Sequence, residues 1–477
     1  MKKDKIIALS LVGVLAVSGS VLAIRGWQDA KYRESHIFVE DAVYPRDAAQ
    51  LDLRGTGISI EHYDAIRAQL PQCQIQWDVP FQGGFLPNDT EDLTLTFLSD
   101  EDIAILDYFP QLHSIDATGC TDYPQIMALK QRYPQCAISY QVTLDGTSYP
   151  QDTTALSFSD GNGEEFLEML QYLPQLETLH FSQPTMAAEE LLALTDAYPN
   201  VAITWEKEVF GTVYDSTVTE LDFSGMPMES TEAVEAEMKY FPNLEKLIMC
   251  DCGIDNESMA QFRERVRPEY KVVWSVQINT LTVRTDELTF MPEKYKVYVN
   301  DYHINDLVYC EDMLCVDLGH KGVENIDWIY GMPHLQYLVL ADTPVSDITP
   351  IGTLKELIYL ELFKTNVTDY SPLVGCTALQ DVNLACTKGD ASVFAQMPWL
   401  NNLWINSCGV DQQTYQMLLE ALPETTIEVE SGWHLGNNWR AMLNYFKMRA
   451  LLEMPYYDWG NTLGRPGDPG YPYEETE

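Results

Sequence analysis

Five apolar residues, Met313, Leu335, Leu357, Leu379 and Leu400, recur at intervals of 22, 22, 22 and 21 residues. Each is followed at the same offsets by two more apolar positions: Val316/Leu318, Leu338/Leu340, Leu360/Leu362, Val382/Leu384 and Leu403/Ile405. Alternation of this kind sends one face of a short strand into a core. Val345, Ile348, Ile351 and Leu354 then bring the chain back in one coil, and Val367 and Leu373 do so in the next. A single coil cannot bury its own apolar side, so the coils must stack on one another. A lone amphipathic helix does not hold such a period, which leaves a solenoid as the architecture to expect.

The period and the L-x-x-L-x-L figure are those of a leucine-rich repeat. The runs TPVSDITPIGTLKEL and TNVTDYSPLVGCTAL resemble the repeats of internalin-like bacterial leucine-rich-repeat proteins, and the resemblance spans residues 313–400. It implies a parallel sheet with short turns on the opposite side. Thr343, Thr365 and Thr387 stand where such repeats carry a loop-lining Asn, and a hydroxyl satisfies fewer backbone groups than an amide. No internalin-type carboxy-terminal module or sorting motif accompanies the repeats.

The first half repeats on a longer scale. LPQCQIQWDV, YPQCAISYQV, YPNVAITWEK and RPEYKVVWSV start their Pro at 71, 134, 199 and 268, three ordinary coils apart. The segments YPQIMALKQRY, AAEELLALTDAY and NESMAQFRERV have helical periodicity. VPFQGGFL, VTLDGTSY and VFGTVYD read as small hairpins. These pack over the coil beneath or form a ligand-facing ridge. The expected fold is therefore α/β: a curved leucine-rich-repeat solenoid with a parallel concave sheet, helices and short turns on the convex side, and a C-terminal helical cap. The divisions are 1–24 signal peptide or membrane anchor, 25–44 linker, 45–278 helix-backed repeats, 279–312 irregular joint, 313–432 internalin-like repeats, 433–459 cap and 460–477 disordered acidic tail. In the cap, Trp439, Leu443, Phe446 and Ala450 fall on one helical face.

The N-terminus joins Lys2, Lys3 and Lys5 to an apolar run from Ile6 to Ile24. Two readings stand: a single-pass anchor with the lysines inside, or a secretory signal cut near Val21-Leu22-Ala23. Both place the rest of the chain outside the cytoplasm, attached to the plasma membrane or secreted, with the membrane touched only by this segment. Lys+Arg 29 against Asp+Glu 72, a formal charge of −43, argues against nucleic acid or an anionic surface as partner. Asp160, Asn162 and Glu164 open like a calcium loop, but no Gly stands sixth and Gln171 stands twelfth, so a solvated loop is the better reading. Of ten cysteines, Cys120, Cys252 and Cys408 fall at inner-loop positions that bury a thiol. Most are expected to be reduced core residues; Cys386 and Cys408 lie on neighbouring coils, where a bridge is the lesser reading. No HExxH, CxxC, GxSxG or phosphate-cradling loop occurs. No enzyme activity, cofactor or metal is expected.

What remains is surface. Phase places Tyr337, Val339, Tyr359, Glu361, Phe363, Asp381, Asn383, Asn402, Trp404 and Asn406 on the concave sheet face. Ser114, Asp116, Thr178, His180 and Asp222 occupy the same phase earlier and are mostly polar. An aligned aromatic patch is the kind of surface that holds a protein or peptide ligand. The alternative is that Trp404 and its neighbours pack beneath the cap or a hairpin. Three functions follow: recognition of a protein or peptide on this face, a structural envelope scaffold without a specific pocket, or glycan binding through Tyr337, Tyr359 and Trp404. Ligand identity and oligomeric state are not written in these patterns.

Overall fold

The computed structural model describes residues 34–430, 439–455, 457–458 and 461–462. The N-terminal apolar run and nearly all of the 460–477 tail lie outside the described residues. Two compact units divide between Val213 and Tyr214.

The first unit opens on a hairpin, His36–Val39 with Ala42–Pro45, whose Ile37, Val39, Val43 and Tyr44 are buried. The end of the stretch read as a linker is thus the first packed element. Parallel pairs and triplets follow, one strand per coil, with Leu51 beside Ile75, Leu93 beside Ile115 beside Ile138, and Leu156 beside Leu179 beside Ile203. The helical segments form as expected over Tyr123–Arg132 and Ala188–Ala197. Ser59, Ser99, Asp122 and Asn162 accept backbone N–H groups at the starts of their helices, satisfying donors that the helix cannot.

The hairpins form because Gln82-Gly83 and Asp145-Gly146 take left-handed φ, the conformation a two-residue turn needs. Val79, Phe81, Val142 and Leu144 point inward and are buried. Gln82 Nε2 donates to the Phe97 carbonyl at 2.8 Å, and the Asp145 N–H to Glu165 at 2.9 Å. Both turns are therefore fastened to the following coil, the packing reading of the ridge. Asp160, placed at the head of the calcium-like loop, accepts from the Thr185 N–H and hydroxyl at 2.7 and 2.8 Å. Its carboxylate ties two coils together, and among the described residues no His, Cys, Asp or Glu group is arranged to hold a metal.

In the second unit, Glu220–Asp222, Lys246–Ile248 and Lys271–Val273 form one parallel triplet, backed by helices Thr231–Met238 and Asn256–Val266. Seven further parallel strands make one sheet: β1 Thr289–Phe290, β2 Cys315–Asp317, β3 Tyr337–Val339, β4 Tyr359–Glu361, β5 Asp381–Asn383, β6 Asn402–Trp404 and β7 Thr426–Glu428. The stretch read as an irregular joint supplies β1 and so belongs to this ladder. Val316, Leu338, Leu360, Val382 and Leu403 stack in register, each with no exposed surface. The return arms are 3-10 turns at Asp327–Gly331, Thr349–Thr353, Ser371–Gly375 and Ala391–Gln396, short enough for coils of about this length. A side chain on Gly331 would overlap the Val308 carbonyl of the preceding coil, which is why that turn carries glycine. The last coil returns instead through helix α1, Gln412–Ala421, capped by Asp411.

One residue per coil, His320, Asp342, Lys364, Cys386 and Ser407, takes a left-handed φ of 62°, 55°, 61°, 65° and 58°. None is glycine, so stacking on the neighbouring coils has to offset a strain of about 1 kcal/mol each. The Thr343, Thr365 and Thr387 hydroxyls donate to the carbonyls of Leu340, Leu362 and Leu384 within their own coils. The ladder between coils is carried partly by thiols: Cys120, Cys252, Cys376 and Cys408 donate to Leu95, Phe223, Ile351 and Leu384 carbonyls at 3.6, 3.2, 3.2 and 3.1 Å. All ten cysteines are free, with Cys386 exposed and Cys408 buried, so the bridge considered for that pair is not formed.

Candidate recognition face

Strand alternation puts the residues of the seven-stranded sheet that do not enter the coil core on a common face, and strand register sorts them into rows. Cys315, Tyr337, Tyr359, Asp381 and Asn402 make one row; Asp317, Val339, Glu361, Asn383 and Trp404 make the next. All ten residues assigned from sequence phase belong to this part of the chain, with Phe363 and Asn406 just beyond their strands.

The aromatic face is not open. Tyr337, Val339, Tyr359, Phe363 and Trp404 are between 0% and 6% exposed. The reason is that the C-terminal segment lies on them. Trp439, Tyr445, Met448 and Leu452 form one cluster with Cys315, Tyr337, Val339, Tyr359, Phe363 and Trp404. The Trp439 indole sits against both Tyr359 and Trp404, with ring centroids 5.2 Å from each. The segment read as an end cap is therefore a cover for the sheet face. Its helix, α2 Leu443–Leu451, buries a different side from the one expected. Leu443 is 56% exposed, whereas Asn444, Tyr445, Met448 and Arg449 are buried. Trp439 lies in a separate turn before α2, so helical phase counted from it does not carry through.

Polar contacts fix the segment's register. Trp439 Nε1 donates to Glu361 at 2.8 Å, and the Tyr359 hydroxyl donates to the same carboxylate. Asn444 Nδ2 donates to Asp381 at 2.8 Å and to Gln380 at 3.1 Å, while Asn402 donates to Asp381 from the sheet at 2.6 Å. At the far end, Lys294 Nζ bonds Glu453 at 3.0 Å and the Leu452 carbonyl at 3.4 Å. Arg449 folds back onto the Pro455 carbonyl at 2.9 Å, closing the turn that follows α2. Asn406 holds the Glu430 carbonyl at 2.9 Å, and Asn383 accepts from the Ala385 N–H at 3.0 Å. The Asn383 Nδ2 has no partner among the described residues.

Burial under the segment pushes the carboxyls of Asp317, Glu361 and Asp381 above the ordinary carboxylate range. Hydrogen bonds from Tyr359 and Trp439 oppose this at Glu361, as do those from Asn402 and Asn444 at Asp381. Arg440 faces Glu361, and Arg449, His320 and Lys321 face Asp317. A carboxyl raised by seating of the segment favours the seated state in full below the ordinary carboxylate range. That contribution is lost as pH rises through the raised value. Amide exchange of residues 443–452, corrected for intrinsic rates, is expected to show stronger protection at about pH 5 than at about pH 7.5. Glu361→Gln with Asp381→Asn should reduce the difference to the part Asp317 contributes; a difference of opposite sign would contradict the burial argument.

Sequence phase found the sheet residues and named Asp381 among them, and the alternative that Trp404 and its neighbours pack beneath the cap is the arrangement observed; Asp317 and the particular contacts of Trp439, Asn444, Tyr445 and Met448 were missed. One signal was available. Residues 439–452 carry Arg440, Lys447 and Arg449 and no acid, in a chain otherwise rich in carboxylates. In the first unit the equivalent phase is polar, as expected: Ser114 bonds Asp92 at 2.5 Å and His180 bonds Thr204 at 2.9 Å.

No protein-family model matches the chain, and no curated protein matches it. Among solved structures, it is similar to internalin C2 of Listeria monocytogenes at 15% identity, covering 46% of this chain and 76% of that one with a TM-score of 0.23. Internalin F of the same organism matches at 12% identity over 78% and 89% of the two chains, TM-score 0.25. A leucine-rich-repeat protein of Leptospira interrogans matches at 11% over 70% and 93%, TM-score 0.25. At these scores the leucine-rich-repeat architecture rests on the strand register above.

Proposed function

We propose that the chain acts by recognition of a protein or peptide partner, that the face of the seven-stranded sheet is the binding surface, and that residues 439–455 occupy it as a resident ligand. The observation that carries this is the Trp439 indole seated between Tyr359 and Trp404 with its N–H on Glu361. This is a large aromatic anchor in an aromatic, water-excluding site, the arrangement that concentrates binding energy at interfaces. An amphipathic helix laid on an apolar surface is a common mode of peptide recognition. Glycan stacking on Tyr337, Tyr359 and Trp404 would need the same segment to leave.

The reading includes an extracytoplasmic location, supported by the basic start and apolar run of residues 2–24. A second reading, a structural envelope component, draws on the same closure of the face: a sheet sealed by its own chain needs no ligand. The two separate in one experiment. Full-length Trp439→Ala protein is mixed with a labelled peptide of residues 439–455 and followed by fluorescence anisotropy. Saturable binding, abolished when Tyr359→Ala is added, supports recognition. If the peptide does not bind, the sealed scaffold stands.

A further inference from the structure

Resting on the recognition reading above, the further question is which helices the face selects. The face carries a line of carboxylates. Asp317, Glu361 and Asp381 lie on β2, β4 and β5, with Asp317 and Glu361 in one register row two strands apart and Asp381 beside Glu361's strand. The segment over them is a basic stretch of an acidic chain, with Arg440, Lys447 and Arg449 and no acid between 439 and 452. Yet the hydrogen bonds it gives Glu361 and Asp381 are neutral ones, and of the two only Glu361 also has a cation, Arg440, facing it. Glu361 receives an indole N–H and Asp381 an amide. A buried carboxylate met only by neutral donors keeps much of its desolvation cost, whereas a cation in hydrogen-bonding geometry returns more of it. The fit is also incomplete between these points. Asn383 stands in the register row between Glu361 and Trp404, both of which touch Trp439. It is 1% exposed, and its amide N–H₂ is unpaired among the described residues, a cost that residues 439–455 do not relieve.

We infer that the partner of this face is a cationic amphipathic helix that sets a Lys or Arg directly on Asp381, where the resident segment offers only Asn444, and therefore displaces that segment. The aromatic row supplies the anchor, and Asp381 supplies the selection. An acidic or neutral helix of the same apolar pattern seats less well, because it leaves the Asp381 carboxylate buried with a neutral or like-charged group.

The test uses full-length Trp439→Ala protein and three labelled peptides of residues 439–455: the resident sequence, its Asn444→Lys form and its Asn444→Glu form. Anisotropy titrations run at about 0.15 M salt, where long-range attraction to the acidic chain is screened. The Lys peptide is expected to bind about tenfold tighter than the resident sequence and the Glu peptide about tenfold weaker, a change of about 1.4 kcal/mol each way. Both differences should collapse in Trp439→Ala/Asp381→Asn protein. Equal affinities for the three peptides, or a preference for Lys that survives Asp381→Asn, would overturn the inference while leaving recognition intact. Failure of all three to bind would remove recognition itself.

Discussion

Trp439→Ala is expected to cost the C-terminal segment about 3–5 kcal/mol, the range for truncating a fully buried Trp, and to release residues 439–455 without melting the coils beneath. The side chain has no exposed surface, it fills the space between Tyr359 and Trp404, and its N–H is a direct bond to Glu361. Its loss removes the anchor and leaves that carboxylate with one donor fewer. Limited proteolysis should cut the variant within 439–455 many-fold faster than wild type, while the far-ultraviolet circular dichroism of the repeats is retained. Cleavage that accelerates only together with loss of the dichroism signal would mean that segment and coils melt as one.

Leu360→Ala, one residue from Tyr359 on the other side of β4, is expected to fail in the opposite way. Leu360 stacks between Leu338 and Val382 with no exposed surface, and its truncation should cost about 2–5 kcal/mol. This loss falls on the coil core. The urea midpoint of the repeats should drop, and proteolysis should spread over residues 313–410. Tyr359→Ala, by contrast, should reproduce the local phenotype of Trp439→Ala. The adjacent pair thus separates the solenoid's core from its covered face.

The legibility of this chain followed what each feature depends on. Coil period and core positions are set by local alternation, so Leu338, Leu360 and Leu403 could be placed by counting. The helices Tyr123–Arg132 and Ala188–Ala197 and the Gln82-Gly83 and Asp145-Gly146 turns are likewise local. The face residues followed from the same counting, since a strand that hides Leu360 must turn Tyr359 and Glu361 the other way. Their covering entered only as the alternative that Trp404 and its neighbours pack beneath the cap, and which contacts make it did not follow, because the contact between Trp439 and Glu361 spans 78 positions and no period links its ends. The left-handed residues His320, Asp342, Lys364, Cys386 and Ser407 were also hidden. No glycine marks them, and their conformation is imposed by neighbouring coils. The thiol ladder was half visible: burial of Cys120, Cys252 and Cys408 could be expected, while their carbonyl partners on the preceding coil required the stacked structure.

The central claim is that α2 and Trp439 are an occupant of the sheet face and separable from it. Native-state hydrogen exchange of the full-length protein, followed across a series of low urea concentrations, measures this directly, because elements that open independently exchange with their own free energy. Residues 443–452 should open as a unit at a lower free energy than the amides of β3–β6, and their opening should show a smaller urea dependence, since less surface is exposed. If those amides exchange only with the global unfolding of β3–β6, the segment is an integral part of the core and the face is not a recognition surface.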